Sequence, residues 1–130
     1  MKKVMVFGTF DIIHPGHKYF LKEAKELGDY LVVVIARDQT VQTVKHKKPK
    51  NSEEKRLKNL DDLRIANKSV LGNIQDKYQI IREENPDIIA LGYDQQMFTA
   101  NLEKFFLNTK IVRLKSFKPD IYKSSKLRKD

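Results

Sequence analysis

A chain of 130 residues fits one domain, spanning 1–130, with a core of its own and little room for a second. Cysteine is absent, which excludes disulfides and thiolate metal sites and, with only three histidines, disfavours a structural zinc site. The formal charge of +9 points to polyanionic partners, either a nucleic-acid backbone or phosphorylated small molecules concentrated in a cleft.

The longest apolar stretch, Leu31 to Ala36, is only strand-length, so no membrane partner is expected. Two lysines precede an N-terminal apolar run, but Gly8 and Asp11 interrupt it and no cleavage site follows. A cytoplasmic protein is expected. Lys3 to Phe7 reads as a first strand ending at Gly8-Thr9. His17 to Leu27 follows a helical pattern, with Tyr19, Phe20, Ala24 and Leu27 on one face and Gly28 placed to end it at C′. Tyr30 to Ala36 is apolar without alternation, as a parallel strand covered on both faces should be.

Lys45 to Lys50 is a basic loop containing Pro49, and Ser52-Glu53-Glu54 opens a helix through Arg56, Leu60 and Leu63. A short strand is predicted at Lys68 to Leu71, closed by Gly72, then a helix from Lys77 to Glu84 with Pro86 at its exit. Asp87 to Leu91 is a further strand before Gly92-Tyr93-Asp94, Asn101 to Leu107 a helix, and Lys110 to Leu114 a last strand. The alternation predicts an α/β fold: a three-layer sandwich around a mostly parallel sheet of about five strands.

The chemistry concentrates in Gly8-Thr-Phe-Asp-Ile-Ile-His-Pro-Gly-His17, between the first strand and the first helix, where open α/β sheets place ligands. The segment meets neither the dinucleotide nor the Walker A glycine spacing. Two imidazoles flanking Pro15-Gly16 can donate to phosphate oxygens above a helix N-terminus, with Gly16 allowing close approach of backbone to ligand. Capping of the helix by the same side chains is the alternative, and a two-histidine metal site a third.

The residues Gly8-Thr9-Phe10-Asp11, His14-x-Gly16-His17 and Gly28-Asp29 resemble the nucleotidyltransferase superfamily with the HxGH signature. That group holds cytidylyltransferases, adenylyltransferases and class I aminoacyl-tRNA synthetases. The likeness runs over essentially the whole chain and is greatest for two short kinds, glycerol-3-phosphate cytidylyltransferases and archaeal FAD synthases. Ala36-Arg37-Asp38, Leu91-Gly92-Tyr93-Asp94-Gln95 and Tyr122-Lys123-Ser124-Ser125-Lys126 are similar to the FAD synthases. The glycerol-3-phosphate enzymes end on an Arg-Thr-x-Gly-Ile-Ser-Thr-Thr type of segment, of which Arg113 keeps the arginine while Lys123-Ser124-Ser125 replaces the glycine turn.

The resemblance implies a Rossmann-like fold and transfer of a nucleotide from ATP or CTP to a phosphate acceptor, FMN or glycerol 3-phosphate. His14, His17, Lys45, Lys47 and Arg113 are then the catalytic set, with either Lys45 or Lys47 at the triphosphate. Nucleotide contacts fall to Thr9, Phe10, Gly16, Gly92, Asp94, Ser124 and Ser125, and acceptor contacts to Asp11, Asp38 and Arg56. Each also has a plainer reading: Phe10 as core, Asp11 as an Asx turn, Asp38 as a turn former, the lysines as a solvated loop, and Ser124 and Ser125 as a cap. Arg56 opposes the helix dipole unless it meets an anion. No metal ligands are assigned; Mg²⁺ is implied by the pyrophosphate leaving group and is expected on phosphates and water. Phe10, Tyr93, Phe98 and Tyr122 are candidates for a flavin-stacking wall. A nucleic-acid-binding module would instead string its basic residues along one exposed stripe, whereas here they are scattered, so no nucleic acid is expected. Tyr, Ile and Leu residues outside the assigned core suit a homodimer.

Overall fold

The computed structural model describes residues 2–73, 76, 78–92 and 106–114, with only the backbone of Val44 and Lys45. The element order is β1 (Lys3–Gly8), α1 (Pro15–Lys25), β2 (Tyr30–Ile35), α2 (Asp38–Lys45), α3 (Glu53–Asp62), β3 (Lys68–Leu71), α4 (Gln79–Glu84), β4 (Ile88–Leu91) and β5 (Lys110–Arg113). The strands form a 5-stranded sheet in the order β3-β2-β1-β4-β5. Every pairing is parallel, from Lys3 opposite Tyr30 in β1–β2 to Leu91 opposite Arg113 in β4–β5.

The central strands are apolar on both faces because helices cover both. Val4, Val6, Leu31, Val33, Ile35, Ile88 and Ala90 face Leu21 and Ala24 of α1 and Leu60 of α3. Met5, Phe7, Val32, Val34, Ile89 and Leu91 face Ile80 and Ile81 of α4. The expected α/β sandwich is thus present. The chain leaves β1 toward β2 and β3, then returns to the other side of β1 as β4. That reversal opens a crevice at the C-terminal ends of β1 and β4, where such sheets take ligands.

Several boundaries differ from the expected ones for local reasons. Helix α1 starts at Pro15, whose fixed φ suits a first helical position, with His14 as its N-cap. Its buried residues are Leu21 and Ala24, with Phe20 and Leu27 packed beside them and Tyr19 outside that cluster. Helix α4 begins at Gln79 rather than Lys77. The strand before Gly92 is shorter by Asp87, whose carboxylate instead accepts from the Lys3 backbone at 2.8 Å. Helix α2 went unanticipated: its Thr and Val residues are poor helix formers, and Val41 is its buried anchor among the described side chains. Most of the helix expected at Asn101 to Leu107 lies outside the described residues, and Leu107 itself sits in a turn.

Gly28 does not end α1 in a left-handed conformation, since no glycine has a positive φ. The helix closes instead with tight bonds from Leu27 N to Ala24 O at 3.1 Å and Gly28 N to Lys25 O at 3.2 Å. Glycine is needed at 28 for room: a Cβ there would stand 2.6 Å from Lys2 O and 2.8 Å from Val4 Cγ2. Lys2 O cannot yield easily, because it accepts from Asp29 N at 2.8 Å and Tyr30 N at 3.2 Å. Gly28→Ala is therefore expected to cost about 1–3 kcal/mol in overpacking. Urea denaturation checks it, and an unchanged midpoint would show that the β1–β2 entry tolerates the shift.

Candidate active site

The turn after β1 is shaped by an unusual backbone. Phe10 has φ 51, a left-handed conformation that costs a bulky residue about 1–3 kcal/mol. The conformation folds the ring back over Gly8, where a Cβ would lie 2.5 Å from Phe10 Cε2. The ring is 4% exposed and meets His17 edge-on, with centroids 5.3 Å apart. Phe10 is therefore a buried support for the histidine rather than a wall available to stack on a flavin.

His14 and His17 form a capping box. Gly16 N donates to His14 Nδ1 at 3.1 Å, and His14 N donates to His17 Nδ1 at 3.3 Å. The rings stack at 3.9 Å with an interplanar angle of 23°. An Nδ1 that accepts carries no proton, so each neutral ring bears its hydrogen on Nε2, across the ring from the cap. Capping and phosphate binding are chemically compatible, since the cap uses Nδ1 of each ring and an Nε2–H can donate. Gly16 serves the ring: a Cβ there would lie 2.9 Å from His14 Cε1. That is a different task from the close ligand approach expected of it.

The second loop, residues 46–52, reaches the first through Asp11. The Asp11 carboxylate accepts from Lys50 N at 2.7 Å and Asn51 N at 2.9 Å, and Asn51 Nδ2 donates to Asp11 O at 2.7 Å. Asp11, expected at the acceptor or in an Asx turn, is thus a tie between loops. Burial pushes its carboxyl up, but the two backbone N–H groups and the Arg56 charge outweigh that and hold it below the ordinary value of 3.8.

Arg56, expected at the acceptor, is instead 0% exposed. Its Nε donates to Asn51 O at 3.1 Å, Nη1 to Thr9 O at 2.9 Å and Nη2 to Asp38 Oδ1 at 2.7 Å. Asp38, also expected at the acceptor, is held in this ion pair and in a reciprocal cap. Asp38 N donates to Glu53 Oε1 at 2.8 Å while Glu53 N donates to Asp38 Oδ2 at 3.3 Å. Two helix N-termini, each positive, are thereby joined through each other's carboxylates. Arg37 completes the junction, with Nη1 on Glu53 at 3.1 Å and Nε on Gly72 O at 2.8 Å. None of Glu53, Arg37 and Asn51 was given a role in the sequence: Glu53 entered only in the helix start Ser52-Glu53-Glu54, Arg37 only within Ala36-Arg37-Asp38, and Asn51 not at all.

Gly92 and Arg113 come together at the C-terminal edge, where Arg113 Nη1 donates to Gly92 O at 2.8 Å. Lys47 is exposed in the turn after α2. Asp94, Ser124 and Ser125 lie outside the described residues, as do Tyr93, Phe98 and Tyr122. Among the described residues no group of three or more His, Asp or Glu side chains is placed to hold a metal ion. Asp11, Asp38 and Glu53 already spend their oxygens on N–H groups and guanidinia, so an all-protein Mg²⁺ cage does not fit here. No described helix is long and apolar enough to cross a membrane.

Residues 5–130 match the cytidylyltransferase-like family. The chain belongs to that family. A cytidylyltransferase-like relative, the FAD synthase of Methanosarcina mazei, is 50% identical over 119 residues, covering 88% of this chain and 77% of its own. The FAD synthase of Picrophilus torridus is 40% identical over 131 residues, covering 98% and 94%. Among solved structures, a lipopolysaccharide core biosynthesis protein from Thermoplasma volcanium GSS1 superposes with a TM-score of 0.85 at 41% identity, over 91% of this chain and 99% of its own. A pantoate-beta-alanine ligase from Francisella tularensis, at 20% identity and a TM-score of 0.63 over 90% of this chain and 60% of its own, shares the fold alone.

Two predictions follow from this cytidylyltransferase-like site. In Gly16→Ala the added methyl displaces the His14 ring, so turnover should fall about tenfold or more while the circular dichroism spectrum is kept. Wild-type turnover would show that the ring tolerates the displacement. Asp11 has a lowered pKa in the folded state, so its contribution to stability is full above the unfolded value. That contribution is lost as pH falls through the folded one. The stability gap between wild type and Asp11→Asn should accordingly be widest near neutrality and close below pH about 4. A gap independent of pH in denaturant titrations would rule out the ionised clamp.

Proposed function

We infer that this cytidylyltransferase-like protein is an FAD synthase, joining the AMP moiety of ATP to FMN with release of pyrophosphate. The observation that carries the chemistry is the histidine pair that caps the N-terminus of α1 through Nδ1. The choice of acceptor draws on FAD synthases 40–50% identical over most of the chain.

An FMN phosphate oxygen attacks the α-phosphorus in line, a new P–O bond forms, and the bond to the bridging oxygen breaks as pyrophosphate departs with its electron pair. The acceptor phosphate is a competent nucleophile near neutrality, so positioning and charge compensation supply the catalysis. The Nε2–H groups of His14 and His17 stabilise the non-bridging oxygens as charge gathers there. Lys45 or Lys47, with Arg113 and the hydroxyls of Ser124 and Ser125, holds the β- and γ-phosphates. Thr9 and Gly92 border the nucleotide, and Asp94 accepts from the ribose. Asp11, Asp38 and Arg56 serve the acceptor by shaping the loops around it. Mg²⁺ would enter with the nucleotide and would supply charge neutralisation on the triphosphate. We place the reaction in the cytoplasm.

Purified protein with ATP, FMN and Mg²⁺ should form FAD, resolved by chromatography, at a kcat/KM well above that for CTP with glycerol 3-phosphate. A faster cytidylyl reaction would overturn the acceptor and leave the histidine chemistry standing. His17→Asn separates the two tasks of that ring, because the amide oxygen can replace Nδ1 as acceptor while the Nε2 donor is lost. It should lower kcat by about 10²–10³ with little change in the melting midpoint. His17→Ala should lose the cap as well. Near wild-type turnover in His17→Asn would remove His17 from phosphate binding.

A further inference from the structure

We propose that Asn51 is a positioning residue for the transfer: it locks the lysine-bearing loop 46–51 to the histidine loop, so that reacting phosphate and triphosphate tail are gripped in one register. The inference rests on the nucleotidyltransferase reading above. Asn51 commits its backbone N to Asp11 Oδ1 at 2.9 Å, its Nδ2 to Asp11 O at 2.7 Å and its carbonyl to Arg56 Nε at 3.1 Å. Arg56 closes the circuit by donating Nη1 to Thr9 O at 2.9 Å. The circuit therefore runs Asp11, Asn51, Arg56, Thr9, and both of its ends lie in the loop that delivers His14.

The lysine loop has no regular structure between α2 and α3, and the exposed Lys47, Lys48 and Lys50 rise from it. Its anchor to the histidine loop at Asn51 sets how far those ammonium groups stand from the imidazoles. Misplacement by about 1 Å costs a transfer reaction as much as 10²-fold in rate. The Nδ2 bond belongs to the side chain, so a substitution can remove it and leave the backbone bonds of 50 and 51 in place.

Asn51→Ala and Asn51→Asp test this; the second keeps the size of the side chain but sets a carboxylate against the Asp11 carbonyl. Calorimetry with ATP and with AMP should show ATP affinity weakened about tenfold in either variant and AMP affinity unchanged. The kcat of FAD formation should fall about 10–10²-fold. Equal weakening of ATP and AMP, a shift in melting midpoint alone, or loss of fold in both variants would overturn the proposal. Wild-type protein that makes no FAD would overturn the function instead, and the ATP-to-AMP contrast would still report on the clamp.

Discussion

The buried guanidinium of Arg56 is the constraint on which the site's architecture depends. An arginine stays charged in a protein, and burying it unpaired costs several kcal/mol, of order 3–5 when a partner is removed. Here the charge meets Asp38, and its other donors meet the carbonyls of Thr9 and Asn51. These partners lie on three separate stretches: the turn after β1, the loop before α3, and the first turn of α2. None can move far without leaving the charge unsatisfied. One side chain in the first turn of α3 thereby dictates where the histidine loop sits relative to the rest of the sheet's C-terminal edge.

The same economy of groups runs through the surrounding residues. The N-termini of α2 and α3 approach each other, and two positive helix ends would repel if each were not capped by the other's first carboxylate. The histidines are divided likewise: Nδ1 of each ring caps the helix, and the proposed reaction would draw on Nε2. Ring orientation is in this way tied to helix stability: a ring that rotates gives up a backbone hydrogen bond at the start of α1. The strained Phe10 backbone places an aromatic floor beneath His17, and its cost is offset by a fully packed ring.

The strands were readable because burial on both faces leaves an unbroken apolar run, as at Tyr30 to Ile35, and because Gly72 closes β3 where expected. The histidine segment stood out by its place between the first strand and the first helix, but its residue types left capping, phosphate binding and metal binding open, and the choice among them came from the family resemblance. Harder to see was anything decided by a partner distant in sequence. Arg56 looks like an exposed residue in a first turn until Thr9, 47 positions earlier, supplies a carbonyl. Asp11 offers a local turn until Lys50 and Asn51 arrive. Helix α2 has weak propensity and is held by Glu53, a residue of another helix. Gly28 illustrates a subtler ambiguity. Glycine after a helix suggests a left-handed cap, and only the approach of Lys2 O reveals that the missing Cβ matters for space.

The net charge of +9 takes on meaning once its partners are located. At the N-terminal edge of the sheet Lys3 and Lys68 converge on Glu84, at 3.1 and 2.6 Å, so positive charge there is locally answered. At the opposite edge the carboxylates are already committed: Asp11 to backbone N–H groups, Asp38 to Arg56, Glu53 to Arg37. The exposed Lys47, Lys48 and Lys50 beside them meet no carboxylate among the described residues. Because the site's acids are neutralised from within, they do not cancel the lysine loop, and the field at the mouth of the crevice stays positive. The proposed reaction brings two anionic substrates together there, against their mutual repulsion. A basic rim over internally compensated acids serves that need and leaves the ion pairs that hold the fold intact when the ligands leave.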